Sequence, residues 1–407
     1  MKNVIILFYL LAFLFSQRSI AQQSQGAKPP ALEVQSYDQN YVPPVPYKPY
    51  SSETVIYIDA AHNNFHTKDQ RFKPFADLLR NDGFKVESFT EKFTRENLQD
   101  VKVLVISNPA NDANHPEPKW VSPILSAFTS EEIDAIVEWV GKGGSLLLIA
   151  DHYPFPGATA DLAARFGFSL DNGYNFDPEY YTILKERFFQ LPVVDQIMQG
   201  KADPNNASVN QQIVSQASGL FVALGAEINT LRFWNSPNPQ AEAGYQKGDG
   251  TLKINDFLKG DAGTQNDTTI PYVTTFTGHS FSAEELPGMK LHPLLRFGDG
   301  PFTVLTEAQD AYFGKDSNSS NQQTMVSLLS TKELPAFVVP VVDATQKLQA
   351  ALVEHGNGKV AMFGEAGMFT AQIAADGSTR MGMNSEMATH NWKFVLNLMR
   401  YLDHSKQ

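Results

Sequence analysis

The stretch Thr129–Asp151, TSEEIDAIVEWVGKGGSLLLIAD, decides the fold class of this chain. Thr129 and Glu132 form the S/T-x-x-E pattern of a capping box, which marks the start of a helix. Apolar residues then recur at helical spacing, and the GKGG of residues 141–144 is the glycine-rich stop expected at a helix C-terminus. The apolar run SLLLIAD follows directly. The stretch therefore predicts a helix that leads into a buried strand.

Other segments repeat this alternation of strands and helices. Strand-like runs are TVIYI, DGFKVESF, VKVLVIS and GKVAMF, which begin at residues 54, 82, 101 and 358. A second capping-box pattern, Thr67 with Gln70, precedes apolar residues at helical spacing. NWKFVLNLMRYL near the C-terminus is typical of a closing helix. Apolar strands covered by helices on both faces predict a three-layer α/β fold around a parallel sheet.

The N-terminus has the composition of a secretory signal. Lys2 precedes a nearly unbroken apolar run, Val4–Phe15, and small residues at 19 and 21 suit cleavage after Ala21. The run is shorter than the roughly 20 residues that a membrane span needs. We therefore expect residues 1–21 to be removed on export to the periplasm or the extracellular space, with no stable membrane insertion afterwards.

The rest of the chain divides into a linker and one domain. Residues 22–52 are rich in Pro, Gln and Ser and lack apolar periodicity, which favours an extended, polyproline-like linker. Residues 53–407 form the α/β domain, in which the region of about 169–347 is an irregular insertion rich in Asn, Gly, Asp and Pro. We expect this insertion to cover one edge of the sheet.

The composition excludes several kinds of chemistry. The 407-residue chain contains no cysteine, so disulfides, thiolate metal sites and cysteine nucleophiles are ruled out. Its net charge is −12, and removal of residues 1–21, which carry Lys2 and Arg18 but no acidic residue, leaves −14. A chain this acidic is poorly suited to bind nucleic acid.

Ionisable side chains follow three of the predicted strands. Asp59 and His62, in the stretch IDAAHNNFHT, come after the first strand. Asp151 and His152 follow the fourth strand, and Glu365 follows the last. Ligands of open parallel sheets bind beyond the carboxyl ends of the strands, so we expect these side chains to converge on one edge. These five residues are the predicted catalytic groups.

A divalent metal is one use for such a cluster. His62 and His66 are four residues apart, a spacing that places two imidazoles on one face of a helix. With Asp151 and His152 they form a tentative ligand set for Zn or Mn, whose bound water would attack an ester, amide or phosphoryl centre. The metal-free alternative uses a histidine as general base, an aspartate that orients it and Glu365 as the partner acid. In a purely structural alternative, the strand-end aspartates accept local backbone hydrogen bonds.

Further residues suit a ligand. Arg71 is suited to hold a carboxylate or a phosphate, and the helix predicted in ATADLAARFGF, after the turn freed by Gly157, offers its N-terminus as an anion site. The other predicted ligand-binding residues are Asn64, His66, His279 and Asn384. Export and the aromatic residues of the insertion favour a small-molecule or carbohydrate ligand.

The segments that carry these residues also resemble a known family. DAAHNNFHT, IADHYPFPGATADLAARFGF, TFTGHSF, FGEAGMFTAQ and the GMN of residues 382–384 occur in this order. Together they resemble exported, poorly characterised proteins with a flavodoxin-like, class I glutamine amidotransferase-like fold. Ala60 and Asn63 depart from that family's pattern, in which a second acidic residue and a further histidine are expected. Because this chain lacks cysteine, glutaminase chemistry by the amidotransferase route is impossible here.

Two classes of function follow from these patterns. The first is an exported hydrolase acting on a small or carbohydrate-derived substrate. The second is a non-catalytic module that holds a ligand or partner on an amidotransferase-like scaffold. Clustering of the strand-end residues in one cleft would favour the hydrolase, and their dispersal would favour the binding module.

Overall fold

The computed structural model describes residues 36–115, 123–176, 229–233, 261–268, 270, 272–276, 278–298, 302–305, 341–373 and 380–403. The predicted signal segment and most of the predicted insertion lie outside these ranges. Within the described ranges, no helix combines the length and the apolar character that crossing a membrane requires.

The described strands and helices alternate through the first half of the chain. In chain order the strands are β1 (Ser36–Tyr37), β2 (Val55–Asp59), β3 (Lys85–Phe89), β4 (Val103–Ser107), β5 (Ser145–Ile149), β6 (Phe168–Leu170), β7 (Gly173–Phe176), β8 (Asn229–Phe233), β9 (Tyr272–Phe276), β10 (Phe281–Ala283), β11 (Met289–Arg296), β12 (Phe302–Leu305), β13 (Val341–Asp343), β14 (Leu348–His355), β15 (Gly358–Phe363), β16 (Ala371–Ile373) and β17 (Arg380–Gly382). The α-helices are α1 (Lys73–Asn81), α2 (Arg95–Leu98), α3 (Ser130–Gly141), α4 (Phe155–Ala164) and α5 (Asn391–Leu402).

Five parallel strands form one half of the main sheet. Their spatial order is β3-β2-β4-β5-β15, which is the 2-1-3-4-5 order of flavodoxin-like folds. The predicted α/β class and all five predicted strands are therefore confirmed. This order places the direction reversal between β2 and β4, so a ligand cleft is expected where those two strands end.

The other half of the main sheet is antiparallel, which the sequence analysis did not predict. β14 forms a hairpin with β15 and also pairs with β10 and β11, and β10 pairs with β6. The sheet is therefore mixed, with nine strands in the described part of the chain. Three of these strands, β6, β10 and β11, come from the predicted insertion, which thus extends the sheet beyond β14.

Helices cover both faces of the sheet. Successive side chains of each strand point to opposite faces, and apolar residues occupy both sets of positions. Val103 and Val105 of β4 pack into a core shared with α1 and α5, whereas Leu104 and Ile106 pack into a second core with α3 and α4. All four side chains are fully buried. The two-residue period of a strand thus supplies both apolar layers of a three-layer fold.

The two predicted capping boxes have different outcomes. Thr129 caps α3 by accepting a hydrogen bond from the Glu132 amide, and the Glu132 side chain accepts one from the Thr129 amide, so this capping box is confirmed. The prediction for Thr67 and Gln70 was wrong. Those residues form a backbone turn, and α1 begins only at Lys73, where Pro74 sets the helical φ in the first turn.

The second part of the predicted linker packs onto the domain. β1 pairs with β16, and the ring of Tyr50 lies against the apolar core. The Asn81 side chain donates to the carbonyl of Pro43 (3.0 Å), and Arg400 donates to that of Lys48 (3.0 Å). Residues 36–52 are thus bound along the surface of the domain.

Candidate functional site

At the end of β2, a histidine lies between two carboxylates. The Nδ1–H of His62 donates to Asp59 (2.9 Å to Oδ2), and its Nε2–H donates to Oε1 of Glu132 (3.1 Å). The rings of Phe93 and Phe128 cover the imidazole, with centroids 4.4 and 5.0 Å away. We call Asp59, His62 and Glu132 the bridged cluster. Its three members are all buried.

The carboxylates of the bridged cluster favour the charged form of its histidine. Burial lowers the pKa of the His62 imidazole, but the hydrogen bonds and charges of Asp59 and Glu132 outweigh burial, and its pKa is raised. Burial likewise acts to raise the pKa of Glu132, but hydrogen bonds from Thr129 and His62 lower it overall. Both ring nitrogens of His62 are therefore occupied, and the geometry is that of a buried ion-pair network.

Asn64 and His66 continue this polar loop toward β4. The Asn64 side chain donates to Asp59 (2.9 Å), and Nδ1 of His66 lies 3.1 Å from the Ser107 hydroxyl. His66 stacks on Phe72 with ring centroids 4.8 Å apart. Burial, and then the nearby charges of Arg71 and His152, lower its pKa well below the ordinary value. His66 is therefore a neutral imidazole at physiological pH.

A second group of polar residues lies where β5 and β15 end. Asp151 is half-buried, and its carboxyl group accepts the His152 amide (2.8 Å). Glu365 is fully buried, and its Oε2 accepts the Phe276 amide (3.0 Å). Oε1 of Glu365 has no hydrogen-bond partner among the described residues. We call Asp151 and Glu365 the carboxyl pair.

Burial and mutual charge favour the protonated form of the carboxyl pair. Burial raises the pKa of Glu365 well above its ordinary value, the charge of Asp151 raises it further, and nearby backbone amides oppose the shift only in part. Burial also raises the pKa of Asp151, against the opposing effect of His152 and of the His152 and Ala366 amides. Because two adjacent carboxyl groups resist double ionisation, we assign the proton to Glu365, the more deeply buried member.

His279 packs directly against the carboxyl pair. Its Nδ1–H donates to the main-chain oxygen of Asp151 (3.1 Å), and its Nε2 has no hydrogen-bond partner among the described residues. The residue is fully buried, and burial lowers its pKa to about 3. The imidazole is therefore neutral, with one nitrogen used as a donor and the other left as an acceptor.

A chain of contacts through half-buried residues runs between the end of β2 and the end of β5. The Arg71 guanidinium lies 3.7 Å above the Phe65 ring and donates to the Phe65 carbonyl (3.4 Å). Phe65 contacts Phe155, which in turn lies beside His152. The Nδ1–H of His152 donates to the Tyr153 carbonyl (2.8 Å). An aromatic and cationic border therefore links the end of β2 to the end of β5.

Two predicted ligand-binding positions have structural contacts instead of a place in this group. The Gly157 amide donates to the Asn172 side chain (3.1 Å), and Asn384 donates to Asp38 (3.2 Å) beside the small sheet of β1, β16 and β17. At the predicted anion site, the N-terminus of α4, the first amides are engaged within the protein or absent. The helix begins at Phe155, whose amide bonds to the His152 carbonyl, and the next residue is Pro156, which has no N–H.

The tentative metal ligands do not assemble into a binding site. In the part of the chain that the structure describes, no group of three or more His, Cys, Asp or Glu side chains has an arrangement that could hold a metal ion. His62 has no nitrogen left to bind a metal, because both of its ring nitrogens are hydrogen-bonded to carboxylates. His66 bonds to Ser107, and His152 bonds to a carbonyl.

Glu132 is the residue that sequence reasoning missed. It was read only as the third residue of a capping box, although it also accepts the second nitrogen of His62. A capping carboxylate has two oxygens, and only one is needed by the helix, so the free oxygen was the available signal. Without the topology, nothing indicated that His62 would be its partner.

A surface cavity lies at the opposite edge of the sheet. It has a volume of about 230 Å³ and is lined by Trp139, Lys102 and Lys142 together with the glycines that precede β5. Because it adjoins the amino ends of β4 and β5, this cavity does not coincide with the carboxyl pair. The chemically distinctive groups and the open cavity are therefore at different ends of the strands.

Comparisons with known proteins give similarity of overall structure only. No protein-family model and no curated protein matches the chain. The N-terminal domain of mmIFT52 is 13% identical, with a TM-score of 0.44 over 86% of this chain and 99% of that chain. A ThuA-like protein from Bacteroides uniformis is 10% identical (TM-score 0.31, 90% and 95% covered), and a cytoplasmic protein from Salmonella typhimurium is 9% identical (TM-score 0.31, 86% and 98% covered). The fold class rests on the strand order itself.

Proposed function

We propose that this protein is an exported hydrolase whose acid–base groups are Asp151 and Glu365. The observation that carries the proposal is the carboxyl pair. Glu365 is fully buried, its pKa is raised by burial and by the charge of Asp151, and its Oε1 has no hydrogen-bond partner among the described residues. Burying such a group costs stability, and strongly perturbed carboxyl groups are concentrated at catalytic sites. The cysteine-free amidotransferase-like scaffold would thus have acid–base chemistry in place of a thiol nucleophile.

The carboxyl pair suits hydrolysis because its members differ in exposure. Asp151, the half-buried member, takes a proton from water while the water oxygen bonds to the carbon under attack. The bond from that carbon to the leaving group then breaks, and the leaving atom takes one proton from the pair. The pair ends with the single proton it began with, stored on Glu365. No metal and no covalent intermediate is needed for this sequence.

The surroundings of the pair favour a small polar substrate. Phe65 is half-buried with the Arg71 guanidinium over its ring, and His152 lies beside the neighbouring Phe155, so aromatic and polar groups alternate here. An aromatic face with polar neighbours is suited to a carbohydrate-derived molecule. Together with the predicted signal segment, this supports a substrate met in the periplasm or outside the cell, and the acidity of the chain disfavours nucleic acid.

A non-catalytic binding module is the second candidate. Two observations favour it. The described contacts place the five predicted catalytic residues in two groups, the bridged cluster and the group around the carboxyl pair, which is the dispersal expected of a binding module. In addition, Glu365 and His279 are fully buried, so only Asp151 and His152 of the second group reach solvent. A ligand bound beside Asp151 would then not contact Glu365, so it would be held without proton transfer from that group. Binding without turnover would appear as a ligand-dependent rise in melting temperature.

The test is a hydrolysis screen on the secreted mature protein, with chromogenic esters, amides, phosphates and glycosides. We expect Asp151→Asn and Glu365→Gln to lower kcat about 10²- to 10⁴-fold, the usual contribution of a general acid or base. Asp134→Asn, an exposed carboxylate on α3, is the matched control and should keep full activity. Turnover that survives Glu365→Gln would contradict the proposed role. Binding without turnover would support the module.

A further inference from the structure

We infer that His279 is a positioning residue that fixes Asp151 at the end of β5. This inference rests on the proposed function, because it concerns the same carboxyl pair. Its basis is the hydrogen bond from Nδ1–H of His279 to the main-chain oxygen of Asp151 (3.1 Å). This bond joins the segment just before β10, in the antiparallel half, to the segment just after β5, a parallel strand.

The backbone around His279 is built for close approach. Gly278 has a positive φ of 73°, and a Cβ at that position would lie 2.1 Å from the Gly364 oxygen. A Cβ on Gly364 would lie 3.2 Å from the imidazole ring of His279. The His279 amide donates to the Gly364 oxygen (2.8 Å). Two glycines therefore allow the imidazole to reach the strand end, with Glu365 following Gly364 directly.

Burying the imidazole of His279 also costs folding free energy, and packing does not explain why a histidine is there. His279 is fully buried, and its Nε2 has no hydrogen-bond partner among the described residues. A buried acceptor without a donor is unfavourable, so a phenylalanine or leucine would fill this space at lower cost. What the apolar side chains lack is the Nδ1–H donor. The donor to Asp151 is thus the feature that distinguishes histidine here.

His279 also contributes no charge at this position. Because its imidazole is neutral, it can fix the main chain of Asp151 without adding a cation next to the carboxyl pair. A lysine or arginine donor in the same place would stabilise the ionised form of both carboxyl groups. A neutral N–H donor is therefore the kind of group that the proposed chemistry requires.

Three measurements test this role, and two of them need no substrate. We expect ¹⁵N NMR to show His279 as the Nδ1–H tautomer at neutral pH. In His279→Leu we expect faster amide exchange at Asp151 and His152, with exchange at Asp59 unchanged as the internal control. His279→Asn keeps a neutral N–H donor near the Nδ1 position and should restore slow exchange.

The outcomes separate this inference from the proposed function. If a substrate is found, His279→Leu should lower kcat/KM about 10- to 100-fold, the range seen when residues that orient metal ligands are lost, and His279→Asn should recover most of it. If no substrate is found, the exchange and tautomer measurements still decide the positioning role. An Nε2–H tautomer, or unchanged exchange at Asp151 in His279→Leu, would overturn it. If His279→Leu does not fold, the tautomer of the wild-type protein and the exchange in His279→Asn give the decision.

Discussion

Histidine and carboxyl side chains occur both at the end of β2 and at the ends of β5 and β15. The two groups differ in whether their hydrogen bonds are satisfied. At the end of β2, both nitrogens of His62 are bonded to the carboxylates of Asp59 and Glu132. In the second group, one oxygen of Glu365 and one nitrogen of His279 have no partner among the described residues. The hydrogen bonds of the first arrangement stabilise the fold, whereas the second leaves two buried polar atoms without a partner in the described part of the chain.

This difference shows why residue type alone is a poor guide to a site. Asp59 and His62 were the most prominent candidates in the sequence, yet their hydrogen bonds are all made within the protein. Buried polar groups are normally satisfied, so an unsatisfied one needs an explanation, and catalysis is a common explanation. Counting hydrogen bonds therefore separates two clusters that a sequence motif cannot separate.

The largest expected effect concerns the bridged cluster. His62→Phe keeps a ring between Phe93 and Phe128 but leaves Asp59 and Glu132 without their shared donor. Removing one partner of a buried ion pair costs about 3–5 kcal/mol, so we expect a loss of that size in the free energy of unfolding. Urea denaturation at pH 6 measures it. A loss below about 1 kcal/mol would mean that the cluster is not a structural network.

The unmodified protein should show the bridged cluster in its pH dependence. The raised pKa of His62 gives a stabilisation that is complete below the unfolded value of about 6.5 and is lost as the pH rises through the folded pKa. The lowered pKa of Glu132 gives a stabilisation that is present above about pH 4.3 and is lost at lower pH. We expect the difference in unfolding free energy between wild type and His62→Phe to be greatest between these limits and to shrink at pH 9.

Substitution in the carboxyl pair should have the opposite effect on stability to substitution in the bridged cluster. The raised pKa of Glu365 means that the unfolded chain loses this proton first, so wild-type stability falls as the pH rises from about 4.3 toward the folded pKa. Glu365→Gln removes that penalty. We expect the variant to be more stable than wild type at pH 7, by on the order of 1 kcal/mol, and no more stable at pH 4. Thermal unfolding at the two pH values compares them.

The smallest expected change in stability is at an exposed ion pair, which serves as a reference for the other substitutions. Arg165 and Asp134 form an exposed ion pair whose side chains are 46% and 59% accessible. Exposed pairs contribute about 1 kcal/mol or less, so Arg165→Ala should change the unfolding free energy by no more than that. A larger change measured in the same urea series would show that surface charges confound the comparison.

The sequence predicted the parallel half of the fold because its signals are local. Val103–Ser107 alternates between two cores, and Thr129 caps its helix, so short-range patterns sufficed. The antiparallel half was missed because the pairing of β14 with β11 and β15 depends on contacts distant in sequence. The Thr67 pattern failed because Pro74 places the helix start several residues later.

The candidate site was predictable in location but not in detail. Topology correctly placed Asp59, Asp151 and Glu365 at strand ends on one edge of the sheet. Which of them are satisfied depends on Glu132 and His279, whose positions are set by a helix start and by a strand of the insertion. Their contacts join residues that are far apart in the chain, and no spacing in the sequence encodes such contacts.

The most direct test of the account is the protonation state of Glu365. Carbon-13 NMR of the mature protein, labelled at glutamate and aspartate carboxyl carbons, resolves ionised from protonated groups. We expect a protonated carboxyl signal at pH 7 that is absent in Glu365→Gln and present in Glu132→Gln. Full ionisation of every carboxyl group at pH 7 would contradict the shared proton, and with it the proposed acid–base role of Asp151 and Glu365.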